Sequence, residues 1–159
     1  MAIKKKIIIG WEEWCALPDL GLPAIKAKID TGAKTSALHA YDIKTFKEGG
    51  VDKVQFKITP LQRKKQIEKT CTATLIENRV VISSNGEREK RYVIITPITI
   101  GEITFESEVT LTSRHKMSFM MLLGREALRK AKVNVDPRKS YMLGKVKNAE
   151  EQYKLIEDV

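Results

Sequence analysis

The chain has 159 residues, 42% of them hydrophobic and 31% charged, a balance that gives one domain enough interior for a core and excludes a disordered chain. Its 29 Lys and Arg against 20 Asp and Glu leave a net charge of +9, which favours anionic partners: nucleic acid, an acidic peptide or an anionic membrane surface. No apolar run reaches the length of a signal-peptide core or a membrane span, and Cys15 and Cys71 are too few for a disulfide framework, so the expected location is the cytoplasm, with no membrane partner.

In chain order, the β-branched run at residues 3–9 predicts a strand, and residues 11–17 a turn or a short helix. Pro18, Gly21 and Pro23 predict irregular chain. Ile25, Ala27 and Ile29 alternate with Lys26, Lys28 and Asp30, the period of a half-buried strand. Residues 38–46 read as extended, Gly49-Gly50 as a turn, and Val54, Phe56 and Ile58 as a strand that Pro60 stops. A charge-rich linker covers residues 61–69. Residues 70–82 and 92–98 read as strands joined by a hairpin turn at Ser83-Ser84-Asn85-Gly86, since Asn-Gly favours tight hairpins. After a turn at Gly101-Glu102 comes a strand at 104–111, then a buried apolar run at 117–123. A helix is expected over residues 125–131 and a short strand near 141–143. The charged tail from Lys145 is helical or frayed. The sum is an all-β closed sheet with one short helix.

One stretch, KAKIDTGAKTSAL, interrupts a strand with Asp30-Thr31-Gly32. A carboxylate resists burial and glycine weakens a strand, so this is either a turn or a position reserved for chemistry. Asp-Thr-Gly alone is a weak signal, a triplet of ordinary residues that also arises by chance as a surface turn. Its setting is more informative: it follows an alternating strand, precedes the small Ala33, and is answered much later by MMLLGREAL, where an apolar run meets Gly124 and a helix opens.

Together these two segments resemble the retropepsin-like aspartic peptidases, in which the loop after one strand carries the aspartate and a later apolar-apolar-Gly segment packs beside it. The stretches LPDLGLPAIKAKIDTGAKTSALHA, SSNGEREKRYVI and LTSRHKMSFMMLLGREAL are similar, in order, to a small bacterial family associated with RimK-type glutamate ligases and labelled ATP-dependent zinc protease. The similarity runs nearly the whole way to residue 143. It implies an acid-protease fold, a retropepsin-like closed barrel over residues 1–144 with one short C-terminal helix, followed by a charged tail at 145–159. It also implies an aspartic-type peptidase acting on the glutamate tails that the ligase adds to a ribosomal protein, and hence a functional link to that ligase.

The chemistry of that class needs two carboxylates facing one water and sharing one proton. This chain has one Asp-Thr-Gly and no second Asp-Thr-Gly or Asp-Ser-Gly, so the second acid must be Asp30 of another copy, which requires a C2 homodimer. The resemblance assigns the catalytic loop to Asp30, Thr31, Gly32 and Ala33. It assigns the flap to the hairpin tipped by Ser83, Ser84, Asn85 and Gly86. It also expects an acid after Ala33, paired with Arg125; Lys34 stands there instead, leaving Arg125 to find another partner or contact substrate. Lys34, Lys90, Arg91 and Arg114 fall on segments expected near the cleft or flap, where they are candidates to bind acidic side chains.

No cofactor or metal is expected. Cys15, His39, Cys71 and His115 form no Cys-x-x-Cys or His-Glu-x-x-His pattern, and there is no Gly-x-x-x-x-Gly-Lys for ATP. Direct nucleic-acid binding is not favoured, because no strand interleaves basic and aromatic residues. Two alternatives stay open at this point: a non-catalytic basic module docking a ribosomal or acidic partner, and a zinc-dependent peptidase.

Overall fold

The structure is a computed structural model, which describes residues 6–82, 85–113 and 118–157. Its architecture is set by strands that bury alternate side chains. β1 (Ile7–Ile9) and β2 (Glu12–Leu17) lead through a 3-10 turn to β3 (Leu22–Asp30). Next come β4 (Ser36–His39), β5 (Tyr41–Glu48), β6 (Val51–Ile58), β7 (Lys69–Ile82), β8 (Arg88–Ile100) and β9 (Ile103–Thr112). The chain ends with β10 (Met121–Gly124), helix α1 (Arg125–Ala131), β11 (Val133–Val135) and helix α2 (Ala149–Glu157).

Six strands close on themselves in the order β2-β3-β10-β4-β9-β8, and β8 returns to β2 through the Ala16–Thr99 pair. β3 points Ile25, Ala27 and Ile29 inward and turns Lys28 to solvent. Leu38, Ile94, Ile98, Val109, Leu111, Met121 and Leu123 fill the same interior. Each such aliphatic side chain, fully buried, contributes roughly 1.5–3 kcal/mol. Closure removes the open edges that a curved sheet of this size would otherwise expose. β7, β6 and β5 continue from β8 as an arm, which ends at the edge strand β5. β1 and β11 form a separate parallel pair in the register Ile7–Val133 to Ile9–Val135.

This is the all-β, retropepsin-like class expected, and α1 occupies the residues predicted for it. Three local expectations are corrected. Residues 11–17 are not a turn or helix: after a bend at Trp11, residues 12–17 form β2, with Glu13, Cys15 and Leu17 inward. The inward Glu13 breaks the apolar alternation that would have announced a strand. Pro23 lies inside β3, at its second residue, where a missing N–H is tolerated. Residues 141–143 form a turn, with Tyr141 at φ 52°, and the nearby strand is β11, which pairs with β1 far away in sequence. The tail takes the helical option. In α2, Tyr153 is buried and its hydroxyl donates to the Ala24 carbonyl on β3.

Candidate active site

β3 ends at Asp30, and β10 runs parallel beside it with Gly124 opposite Asp30. On its other side β10 pairs with β4, the strand that leaves the loop. The loop therefore has to cross the end of β10 to get from one neighbour to the other. That crossing requires Gly124: a Cβ there would stand 2.7 Å from the Thr35 carbonyl carbon and 2.9 Å from its oxygen. The Gly124 N–H donates to the buried Ser36 hydroxyl at 3.0 Å. The first N–H groups of α1 are satisfied by the same loop, Arg125 N donating to the Ala33 carbonyl at 2.8 Å and Glu126 N to that of Lys34 at 3.2 Å. The loop is thus clamped from below by the strand-to-helix junction that follows β10.

Asp30 is half-buried, and the Gly32 N–H donates to its Oδ1 at 3.0 Å. A Cβ on Gly32 would sit 3.2 Å from that oxygen, so glycine lets the backbone come this close. Thr31 and Gly32 are exposed and Ala33 is half-buried. Thr31 borders an open groove of about 650 Å³, whose walls include Arg125, Arg129, Lys132, Val133 and Val135. Arg125 Nη1 donates to the Gly32 carbonyl at 3.1 Å. Lys34 lies 3.9 Å from Glu126. The acid–arginine pair expected of the class is thus replaced: Arg125 fastens a loop carbonyl, and the charge after Ala33 pairs, reversed in sign, with the residue after Arg125.

The hairpin expected to form the flap is β7–β8. Gly86 takes φ 82° near its tip, a left-handed conformation suited to glycine, and the Glu87 N–H donates to Asn85 Oδ1 at 3.3 Å. Ser83, Ser84, Arg114 and His115 lie outside the described residues. Lys90 is exposed. Arg91, the next residue along β8, has a side chain only 10% exposed, 3.0 Å from Glu89 Oε2 and 3.4 Å from the Thr110 hydroxyl. Asp30 to Lys34 are therefore one continuous loop, while Asn85, Gly86, Lys90 and Arg91 belong to the hairpin. Sequence reading missed Ser36, Arg79, Glu108 and Glu13. Only Ser36 carried a local signal, as the small polar residue that ends the loop.

Among the described residues no group of three or more His, Cys, Asp and Glu side chains is arranged to hold a metal ion. The two thiols are poor ligands where they stand. Burial, with the charge of Glu13 added, pushes Cys15 up to about 12, and burial pushes Cys71 up to about 11 while its Sγ donates to the Leu20 carbonyl at 3.3 Å. These residues do not fit a zinc site.

A closed β-barrel with an aspartate loop clamped by a glycine-ended strand defines the retropepsin-like class. The chain belongs to the RimB-like family, described as "Retropepsin-like aspartic endopeptidase RimB", whose model matches residues 8–146. Relatives named "Probable alpha-L-glutamate ligase" include one from Shewanella halifaxensis, 49% identical over 91% of this chain, and one from Shewanella pealeana, 50% identical over 87% of it. The chain spans only 31% and 30% of the length of those two proteins. A solved protein of unknown function from Legionella pneumophila is 26% identical, with a TM-score of 0.74 over 87% of this chain and 99% of its own. Among the described residues no helix is long and apolar enough to cross a membrane.

Proposed function

We propose that the protein is a homodimeric aspartic peptidase that hydrolyses peptide bonds in acidic, glutamate-tailed substrates. The observation that carries this reading is the Asp30 loop: a half-buried carboxylate oriented by Gly32 N–H and opposite Gly124 in the strand register. Two copies related by a twofold would face two such carboxyls across one water. The ionised carboxyl takes a proton from the water as its oxygen bonds to the scissile carbonyl carbon, and the protonated carboxyl gives its proton to the carbonyl oxygen. The diol then collapses. The C–N bond breaks, the amine nitrogen takes a proton from the acid formed in the first step, and the carboxylic product returns one proton to the pair. The titration belongs to the dyad as a unit.

The net charge of +9 supports an acidic substrate, and Lys34 in the loop and Lys90 on the hairpin are candidates to receive it. Ser83, Ser84, Asn85, Gly86 and Arg114 are carried as further contacts with the peptide. That a third of each ligase-named relative resembles this chain supports a functional link with a glutamate ligase. The test is cleavage of a glutamate-tailed peptide by wild type, by Asp30→Asn, and by wild type with a chelator. Loss of roughly 10³-fold in Asp30→Asn alone is expected. Loss with the chelator would instead support a metallopeptidase, and no cleavage by wild type would support a binding module.

A further inference from the structure

Arg79 on β7 and Arg91 on β8 stand directly opposite each other in the hairpin register. Like charges placed so destabilise a sheet unless each is neutralised. Arg79 donates to Glu108 Oε2 on β9 at 2.7 Å and, through Nε, to Glu77 at 2.9 Å. Arg91 holds Glu89 and Thr110, and the Thr112 hydroxyl donates to the other oxygen of Glu89 at 3.3 Å. The Thr110 hydroxyl in turn donates to the Ser36 carbonyl at 3.2 Å, and the Ser36 hydroxyl accepts Gly124 N–H, opposite Asp30. The paired arginines therefore stand on a sheet face that adjoins the exit of the catalytic loop. The hydrogen bond from Arg79 is the largest cause holding the Glu108 carboxyl below its ordinary range, and the charges of Lys130 and Lys34 reach it as well. The Arg79 and Glu108 side chains remain 32% and 33% exposed, so solvent and ligand can reach them.

We propose that Arg79, with the charge of the more buried Arg91 behind it, forms a carboxylate-binding subsite for the substrate, occupied in the free protein by Glu108, which an incoming glutamate side chain displaces. The inference deepens the acidic-substrate reading above and rests on it. Exchanging one carboxylate for another at a guanidinium keeps the ion pair and its forked hydrogen bonds, so displacement is nearly balanced. A neutral side chain offers no replacement charge and leaves the internal pair intact. Specificity then arises from what the wrong ligand fails to displace.

An ion network that only supports the sheet predicts a different sign when an acid is removed. In the Asp30→Asn background, where no turnover interferes, the probe is a fluorescent five-residue oligo-L-glutamate measured by anisotropy at fixed salt. Glu108→Gln frees Arg79 and is expected to tighten binding several-fold. That gain should exceed the gain from Glu102→Gln, the same charge change in the β8–β9 turn. Arg79→Gln and Arg91→Gln are each expected to weaken binding roughly tenfold, and Arg79→Lys to restore part of the loss. Oligo-L-glutamine affinity should not move. The inference is overturned if folded Glu108→Gln binds oligo-glutamate no more tightly than Glu102→Gln, or if folded Arg79→Gln and Arg91→Gln bind like the parent. Because binding is read without catalysis, a wild type that cleaves nothing would defeat the peptidase reading and leave these outcomes decisive for the subsite.

Discussion

Two carboxylates beside glycines show how one side-chain chemistry is put to opposite uses. Glu13 is fully buried and accepts three backbone N–H groups: Gly10 at 2.7 Å, Met142 at 2.9 Å and Leu143 at 3.1 Å. Asp30 is half-buried, and the described contacts give it one such donor, Gly32. An ionised carboxylate has about four acceptor positions. Glu13 has most of its capacity committed and is removed from water, so it works as a structural knot. It ties the turn at residues 140–144 to the β1–β2 corner, where Trp11 N also donates to the Lys139 carbonyl and Gly10 has no room for a Cβ. Asp30 is oriented by Gly32 but keeps acceptor positions uncommitted among the described contacts, as the proposed catalytic role requires.

The largest expected effects test that contrast by crossing activity with stability. Asp30→Asn should remove roughly 10³-fold of kcat while leaving thermal unfolding nearly where it was. Glu13→Ala should do the reverse. It strands the buried Gly10 N–H, at about 1–3 kcal/mol, and the part-buried N–H groups of Met142 and Leu143 at less, a loss that threatens the fold of a marginally stable domain, while the molecules still folded keep their kcat. Calorimetry with active-site titration reads both. A Glu13→Ala protein that melts like wild type but turns over slowly would break the comparison.

Gly124→Ala probes the clamp between the two behaviours. The new methyl would meet the Thr35 backbone at 2.7 Å, so the Asp30 loop must lift. The expected cost is about 1–3 kcal/mol of stability, together with a fall in kcat, since small displacements of reacting groups weigh heavily on rate. A variant with lowered stability but unchanged kcat would show that the loop does not depend on β10 for its geometry.

Much of this was legible in the sequence because it is locally encoded. The alternation at residues 25–29 is strand β3, and the Gly-Arg boundary opens α1 at its observed residue. The Asp-Thr-Gly-Ala segment marks its own loop. What was not legible depends on partners distant in sequence. β2 was hidden because its inward position 13 is a glutamate whose three donors include two from residues 142 and 143. β11 is a three-residue strand defined only by pairing with β1. The turn at Tyr141 looked like a strand because of its apolar residues, of which Leu143 packs against the core without joining a ladder. Arg79 resembled any surface cation until the register set it against Arg91 and brought Glu108 across from β9.

The smallest effect concerns the third kind of carboxylate, paired with a cation rather than with N–H groups. Glu108 keeps its proton off to lower pH in the folded protein than in the unfolded chain, chiefly because Arg79 hydrogen-bonds it. The unfolded state therefore binds more protons on acidification. The stabilisation from this pair is fully present above the ordinary glutamate value of 4.5 and is lost as pH falls through the lowered folded value. With a side chain one-third exposed, the amount is screened to a few tenths of a kcal/mol. Thermal melts of wild type and Glu108→Gln between neutral pH and pH ~3 should converge as the solution becomes acidic, wild type being the more stable only at the upper end. Curves that stay parallel across that window would mean that Glu108 titrates alike in both states, and that the arginine beside it is held by geometry rather than by charge.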